Sequence, residues 1–175
     1  QETAGVDARL KWPNDVVVDG PGWLGDPGPR KLAGLLVEAA GGAVVVGLGL
    51  NVDLGPQELP TPQATSLVLE AERGPVGGRV PAREDLLAAV LAGLGRRVEA
   101  FVGAAGDADR SGLRDAYTAR CLTLGRAVRA TLPGGQVVEG VAAGVAAEGA
   151  LVVATASGER TVPAGDVVHL GVASG

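Results

Sequence analysis

Two residue types suited to charge neutralisation and to hydrogen-bond recognition are scarce in this sequence and lie close together. The 175 residues include only two lysines, Lys11 and Lys31, and only two asparagines, Asn14 and Asn51, beside thirteen arginines. Lys provides a compact, mobile ammonium that a planar guanidinium cannot copy, and Asn provides a donor and an acceptor on one short stem. All four residues fall within the first 51 positions. The sequence therefore predicts a chemical site in that part of the chain.

The four residues belong to three short motifs. Residues 11–15 read Lys-Trp-Pro-Asn-Asp, residues 31–38 read Lys-Leu-Ala-Gly-Leu-Leu-Val-Glu, and residues 47–52 read Gly-Leu-Gly-Leu-Asn-Val. The proline of the first motif fixes the backbone just before its Asn-Asp pair, which suits side chains that must be presented at a defined angle. From the pattern alone, an ordinary Asx turn explains that pair equally well.

Short strands are predicted to carry these motifs. Residues 8–12 and 16–19 read as two strands interrupted by a proline, and residues 20–29 form a loop rich in Gly and Pro. Residues 31–39 and 43–50 are apolar runs joined by two glycines, which predicts a hairpin. Their nearly continuous hydrophobicity predicts a sheet that is covered on at least one face.

Helical spacing dominates the middle of the chain. A short helix is predicted at 66–72, and apolar residues at three- and four-residue spacing predict a helix of about four to five turns over 84–101. A third helix is predicted over 111–120, with Ser111 as its N-terminal cap.

After Cys121 the sequence changes to short strands separated by glycine-containing turns, which predicts a small SH3-like β-barrel. The predicted strands are 127–132, 137–142, 151–154, 160–163 and 167–170. The expected domains are therefore residues 1–120 and residues 121–175.

Composition limits the class of protein. A net charge of −5 argues against an extended nucleic-acid surface, and a single cysteine cannot form an internal disulfide. No apolar run approaches the roughly 20 residues of a membrane-spanning helix. Because the chain opens at Gln1 and not at Met, we interpret it as part of a longer protein, and a reducing cytoplasm is the expected location.

The first two motifs, in this order and ahead of a small barrel, resemble those of biotin protein ligases, which adenylate biotin with ATP and attach it to a carrier-protein lysine. The resemblance implies an α+β fold: a mixed β-sheet with flanking helices, similar to class II aminoacyl-tRNA synthetase cores, followed by the SH3-like barrel. It also implies that the family's glycine- and arginine-rich adenylate-binding loop lies upstream, so that this chain alone carries half a site and is inactive. The loop at 20–29 is longer than the family usually has.

Lys31 is the catalytic residue that the resemblance implies, beside the biotin carboxylate and the adenylate phosphate. In adenylation the biotin carboxylate attacks the α-phosphate of ATP, so two anions approach each other. A buried ammonium would stabilise the negative charge that develops. The alternative is a strand-end lysine in solvent. The neighbouring Arg30 indicates what this chain uses for ordinary charge, which favours the catalytic interpretation.

The resemblance also implies a set of ligand-binding residues. Lys11 is expected near the ATP phosphates, Asn14 at the adenine or ribose, and Asn51 at the adenine edge. Asp15 is expected to hold Mg²⁺, since a hard cation prefers carboxylate oxygen. The binding residues expected for ATP and biotin are Lys11, Asn14, Asp15, Lys31, Gly34, Gly47, Gly49 and Asn51.

The implied macromolecular partner is the biotin carboxyl carrier protein of acetyl-CoA carboxylase or a related enzyme. Homodimer formation is left open, no membrane is involved, and DNA is a partner only if an upstream helix-turn-helix exists. Two other functions remain open: a lipoate ligase-like acyl transferase, and a non-catalytic docking module built on the barrel. His169 and Cys121 are interpreted as structural.

Overall fold

The computed structural model describes residues 4–22, 28–73 and 80–170. The strands of the first half are β1 (Ala8–Lys11), β2 (Asp15–Val18), β3 (Arg30–Ala40) and β4 (Ala43–Leu50). The helices are α1 (Leu67–Arg73), α2 (Arg83–Gly103) and α3 (Leu113–Thr118). The later strands are β5 (Ala127–Thr131), β6 (Val137–Val145), β7 (Leu151–Thr155), β8 (Gly158–Val162) and β9 (Asp166–His169).

The chain divides into two compact units. The N-terminal unit contains residues up to 89 apart from 10–13, and the C-terminal unit contains residues 10–13 and those from 90 onward. The unit division thus falls within α2. The predicted domain boundary at residue 121 stays a prediction.

The sheet of the first half has the strand order β1-β2-β3-β4. Strands β3 and β4 form the predicted hairpin, with Ala40 opposite Ala43 and with Gly41 and Gly42 both at positive φ in the turn. The predicted loop at 20–29 falls partly outside the described residues.

The expectation of a mixed sheet is wrong for the described residues. Strand β3 pairs antiparallel with both β2 and β4. A two-residue turn joins β3 to β4, which allows only an antiparallel pair, because parallel neighbours need a long crossover. Among the described residues of the N-terminal unit, parallel pairing is confined to an isolated bridge between Lys31 and Ala64.

Burial of the hairpin is uneven along its length. Leu32 and Ala33 are buried at the inner end, whereas Val37, Val44 and Val46 are exposed at the outer end. The prediction of a covered sheet therefore holds only for the part of β3 that carries the second motif.

The second sheet has the order β8-β7-β6-β5-β9, with every pair antiparallel. All five predicted strands are present. Alternate residues such as Val128 and Ala130 on β5 are fully buried, against Leu151 and Val153 of β7. Because β8 and β9 are the two edges in this order, the sheet is not closed, and a closed barrel stays a prediction.

The helices follow the predicted order with different ends. Helix α2 has 21 residues, nearly six turns, which is longer than expected. Helix α3 is shorter, and the predicted Ser111 cap is wrong: the cap is Gly112, in the left-handed region with a φ of 67°. Ser111 instead donates to the Ala108 carbonyl, so its hydroxyl does not serve the helix start. Across the described ranges, no helix is long and apolar enough to cross a membrane.

A buried ion pair lies inside the N-terminal unit. Arg30 and Glu70 are 5% and 7% exposed, and the guanidinium donates from Nε to Oε1 at 2.7 Å and from Nη2 to Oε2 at 2.8 Å. Thr65 donates its hydroxyl to Oε1 at 2.6 Å, and Arg30 Nη1 donates to the Pro21 carbonyl. The interpretation of Arg30 as ordinary charge is therefore wrong.

The pKa of Glu70 reflects these contacts. Burial works to raise it, but the hydrogen bonds from Arg30 and Thr65, together with the charges of Arg30 and Arg73, outweigh burial and hold the pKa below its ordinary value. Glu70 is therefore ionised at neutral pH.

Replacing Glu70 by Gln is expected to lower the free energy of unfolding by about 3–5 kcal/mol at neutral pH, because it leaves a buried guanidinium with an incomplete partner. Since the folded-state pKa is lowered, the wild-type contribution is complete above the ordinary value of 4.5 and is lost as the pH falls through the lowered value. Denaturant unfolding followed by circular dichroism at neutral and acidic pH measures both effects.

The matched control is Asp53→Asn, which breaks the exposed ion pair with Arg83 in the same unit. Its expected cost is below about 1 kcal/mol. Equal losses in the two variants would contradict the importance assigned to the buried pair.

Candidate active site

Lys31 and Asp15 form an ion pair at the start of β3. The ammonium Nζ lies 2.6 Å from Oδ1 of Asp15, and the side chains are 49% and 18% exposed. The ammonium thus has a partner within the chain and still faces solvent. It is neither the fully buried group nor the free surface lysine that the sequence left as alternatives.

A β-bulge sets the direction of the Lys31 side chain. Val16 lies opposite Ala33, but the next residue, Val17, lies opposite Lys31, so Leu32 is an extra residue on β3. Residues three apart on a regular strand point to opposite faces. The bulge reverses this parity and puts Lys31 on the same face as Gly34.

Gly34 provides the space that the lysine occupies. A Cβ at this position would lie 3.2 Å from both Cε and Nζ of Lys31, and 3.7 Å from Oδ1 of Asp15. Asp15 is also the register partner of Gly34. Any side chain at position 34 would therefore push the ammonium away from the carboxylate.

The main chain of Lys31 is held by a segment before α1. Its N–H donates to the Gln63 carbonyl at 2.7 Å, and its carbonyl accepts from the Thr65 N–H at 2.8 Å. Ala64, Thr65 and Ser66 are buried. Neither this segment nor the pair that binds Thr65 was foreseen. The available signal was a glutamate inside the apolar run of the predicted helix at 66–72.

Asn51, which directly follows β4, binds the segment before α1 by hydrogen bonds. Its side-chain amide donates to the Thr65 carbonyl at 2.9 Å, while its main-chain N–H donates to Leu32 and its carbonyl accepts from Leu67. At least one amide proton of Asn51 is therefore used within the chain.

Asn14 is bound to the neighbouring strand. Its side-chain amide donates to the Leu35 carbonyl at 2.7 Å, and the Leu35 N–H donates to the Asn14 carbonyl. These two bonds fix the residue that precedes Asp15, although the Asn14 side chain remains exposed.

Two glycines of β4 continue the face that holds Lys31. Gly49 lies opposite Gly34, and Gly47 lies opposite Leu36. A Cβ at position 47 would come no closer than 3.7 Å to another atom, and one at position 49 no closer than 4.0 Å. Neither glycine has a positive φ. Packing within the described chain therefore does not require glycine at either position.

Lys11 and Trp12 belong to the C-terminal unit. Trp12 directly follows β1, is buried, and is joined to Pro13 by a cis peptide bond. Its indole N–H donates to the Gly149 carbonyl at 2.9 Å. It is a core residue. The structure thus brings together Lys31, Asp15, Gly34 and Gly49, whereas Lys11 lies in the other unit.

The C-terminal unit has a cavity of about 530 Å³ lined by Trp12, Phe101, Leu113, Tyr117 and Val145. No residue predicted for the site lines it. Burial raises the pKa of the Tyr117 phenol, which stays protonated. His169 shares a hydrogen bond with Thr123, in keeping with a structural role.

Similarity to known proteins extends over both units. The model of the biotin protein ligase C-terminal domain matches residues 123–170. Over 165 residues the chain is 39% identical to the biotin–acetyl-CoA-carboxylase ligase of Mycobacterium tuberculosis, covering 94% of this chain and 54% of that protein. The biotin protein ligase of Aquifex aeolicus in complex with biotin and ATP superposes with a TM-score of 0.73 at 22% identity, covering 97% of this chain and 65% of that one. A second crystal structure of the Aquifex ligase gives 0.75, with 97% and 68% covered.

The second sheet, with the turns between its strands, thus matches the C-terminal domain of biotin protein ligases. Because the 39% identity extends over 165 residues, it includes the strands that carry Lys31 and Asp15, and the chain is similar to a biotin protein ligase over nearly its whole length. The chain spans about half the length of the Mycobacterium ligase that it matches.

Gly47→Ala and Gly49→Ala are expected to leave the free energy of unfolding unchanged or to raise it by up to about 1 kcal/mol, because Ala restricts the unfolded chain more than Gly does. Denaturant unfolding of each variant tests this. Gly140→Ala is the contrasting variant, since its Cβ would overlap the Ala154 carbonyl, and it is expected to lose about 1–3 kcal/mol. A comparable loss at position 47 or 49 would mean that the chain itself needs these glycines.

Proposed function

We propose that this chain provides the Lys31 part of an active site that activates biotin with ATP to biotinyl-5′-AMP and transfers biotin to a lysine of a biotin carboxyl carrier protein. The observation that carries the proposal is the Lys31–Asp15 ion pair beside strand positions that lack side chains, Gly34 and Gly49. The names of the relatives support the substrates, since one acts on acetyl-CoA carboxylase and another was crystallised with biotin and ATP.

Adenylation requires positive charge at a defined place. The carboxylate of biotin attacks the α-phosphate while pyrophosphate leaves, so negative charge accumulates between two anions. The Lys31 ammonium, half exposed and fixed at its backbone, would stabilise that charge. Arg is a poor substitute because its guanidinium is planar and bulkier, and the lysine tip already lies 3.2 Å from the Cβ position of Gly34.

The glycines provide a surface that a flat ligand can approach closely. Gly34, Gly47 and Gly49 share one face of adjacent strands, and the chain's own packing does not require glycine at 47 and 49. We therefore assign the nucleotide to this face. Asn51 is proposed to hydrogen-bond the adenine, and Asn14 the adenine or the ribose. Each would use the side-chain amide proton that is not already donated to a backbone carbonyl.

Lys11 is proposed to bind the ATP phosphates, on the strength of the first motif alone. Asp15 remains the candidate ligand for Mg²⁺, but with one oxygen. Lys31 is paired with Oδ1, which leaves Oδ2 for a cation. Over the ranges that the structure describes, no three Asp, Glu, His or Cys residues cluster as a metal site. Asp15 would thus be a single protein ligand for a Mg²⁺ that the phosphates also hold.

The proposal includes two finer predictions, namely an SH3-like barrel in the C-terminal unit and a biotin carboxyl carrier protein as the macromolecular partner. It does not include a homodimer or DNA binding. Lipoate ligase-like activity is the competing function. Pyrophosphate exchange that depends on biotin indicates the proposed function, and exchange that depends on lipoate indicates the competing one.

Lys31→Arg is expected to fold normally and to lose about 100-fold to 1000-fold in biotin-dependent ATP–pyrophosphate exchange, because the charge is kept but its geometry is not. The exchange is measured in the complete gene product with biotin and, separately, with lipoate. Arg83→Lys, a change between the same residue types at an exposed ion pair, is the control and should retain full exchange. Normal exchange in Lys31→Arg would remove Lys31 from the mechanism, and exchange with lipoate alone would favour the competing function.

Gly49→Ala is expected to weaken ATP binding by about tenfold or more while leaving the free energy of unfolding unchanged, because the added methyl group would stand between the nucleotide and the strand. Isothermal titration of the complete gene product with ATP measures the affinity. Gly95→Ala serves as the control, since a Cβ there meets open space on α2. Full ATP affinity in Gly49→Ala, or in Asn51→Ala, would overturn the corresponding assignment.

A further inference from the structure

The backbone around Lys31 is fixed by a group that has no part in the proposed chemistry. One carboxylate, Glu70, binds the side chain of Arg30, which directly precedes Lys31 in β3. The same carboxylate accepts the hydroxyl of Thr65, whose N–H binds the carbonyl of Lys31. The residue before Lys31 and the residue bound to its carbonyl are therefore both held by a single side chain.

We propose that Glu70 is a positioning residue for Lys31, acting through Arg30 and Thr65. The inference rests on the proposed function of Lys31. Glu70 lies on α1, and its hydrogen bonds and ion pair in the described structure are with Arg30 and Thr65 and not with Lys31 or Asp15, so its effect passes through the backbone. It is a positioning residue and not a catalytic one.

The chemistry of a carboxylate suits this role. Its two oxygens accept two hydrogen bonds from the guanidinium and one from the Thr65 hydroxyl, all between 2.6 and 2.8 Å. An amide of the same shape could accept at one oxygen but would direct N–H groups toward the Arg30 donors. Glu70→Gln therefore keeps the shape and the Thr65 contact while disrupting one arm of the bidentate pair.

The position of Lys31 is sensitive to such a change. The bulge at Leu32 directs the side chain across Gly34, and the ammonium reaches Asp15 at 2.6 Å only along that path. If Arg30 moves, the first residues of β3 move with it. A displacement of about 1 Å in a group that stabilises a transition state costs about 100-fold in rate.

The first measurement follows the Lys31 side chain directly and needs no activity. Lysine-selective ¹⁵N labelling of the complete gene product, with the Lys31 signal assigned by its loss in Lys31→Arg, reports the order parameter of the ammonium. We expect it to fall in Glu70→Gln toward the value in Asp15→Asn, which removes the partner outright. An unchanged order parameter in a folded Glu70→Gln variant would overturn the proposal.

The second measurement separates positioning from stability. The double variant Arg30→Met with Glu70→Leu replaces the buried pair by apolar side chains, which often preserves stability. We expect kcat for adenylate formation to fall about tenfold to 100-fold, with little change in KM for biotin, because Lys31 is misplaced and not removed. Wild-type kcat in the folded double variant would overturn the proposal.

A milder pair of variants guards against failure to fold. Thr65→Val removes only the hydroxyl at nearly constant shape, whereas Thr65→Ser keeps it. Thr65→Val should lower kcat and the Lys31 order parameter more than Thr65→Ser does, and equal effects would count against the proposal. If the wild type shows no biotin-dependent exchange, the proposed function fails, and the order parameters still decide whether Glu70 sets the position of Lys31.

Discussion

The site depends on one extra residue in β3. The bulge at Leu32 interrupts the alternation of the strand so that Lys31 and Gly34 share a face, and the lysine then reaches Asp15 across the space above the glycine. Without the bulge, Lys31 would point to the opposite face. The bulge is stable because Leu32 and Ala33 are both buried, and because Gln63 and Thr65 satisfy the main-chain N–H and carbonyl of Lys31.

Much of the secondary structure could be predicted because it depends on local pattern. The two glycines at 41–42 specify the hairpin turn, and short apolar runs between glycine-containing turns specify strands such as β5 and β7. The N-terminal cap of α3 was predicted wrongly, since the cap is Gly112 in a left-handed conformation and not Ser111, a residue type that favours caps. The expected mixed sheet was wrong because it came from the resemblance, whereas the two-glycine turn itself predicts an antiparallel pair.

In the candidate site, too, the residues in local motifs could be predicted and the contacts between distant residues could not. Scarcity identified Lys31, the first motif identified Asp15 and the second identified Gly34, and the structure brings these three residues together. The glutamate in the apolar run at 66–72 was a signal of a buried carboxylate, but its partner could not be assigned from sequence, because Arg30 is 40 positions away and nothing local distinguishes a buried arginine from a surface one. The scarcity of lysine was misleading at position 30, because it led to the interpretation of Arg30 as ordinary charge.

The two ion pairs around position 31 differ in burial, and this difference assigns them different roles. The Arg30–Glu70 pair is almost fully buried, so separating it would leave charges out of water, and it holds the backbone in one place. The Lys31–Asp15 pair is partly exposed, and a pair of that kind contributes about 1 kcal/mol or less. A more highly charged anion could therefore take the ammonium from Asp15 at little cost while the backbone stays fixed. A lysine that must meet a phosphate requires this combination of a fixed main chain and an exchangeable partner.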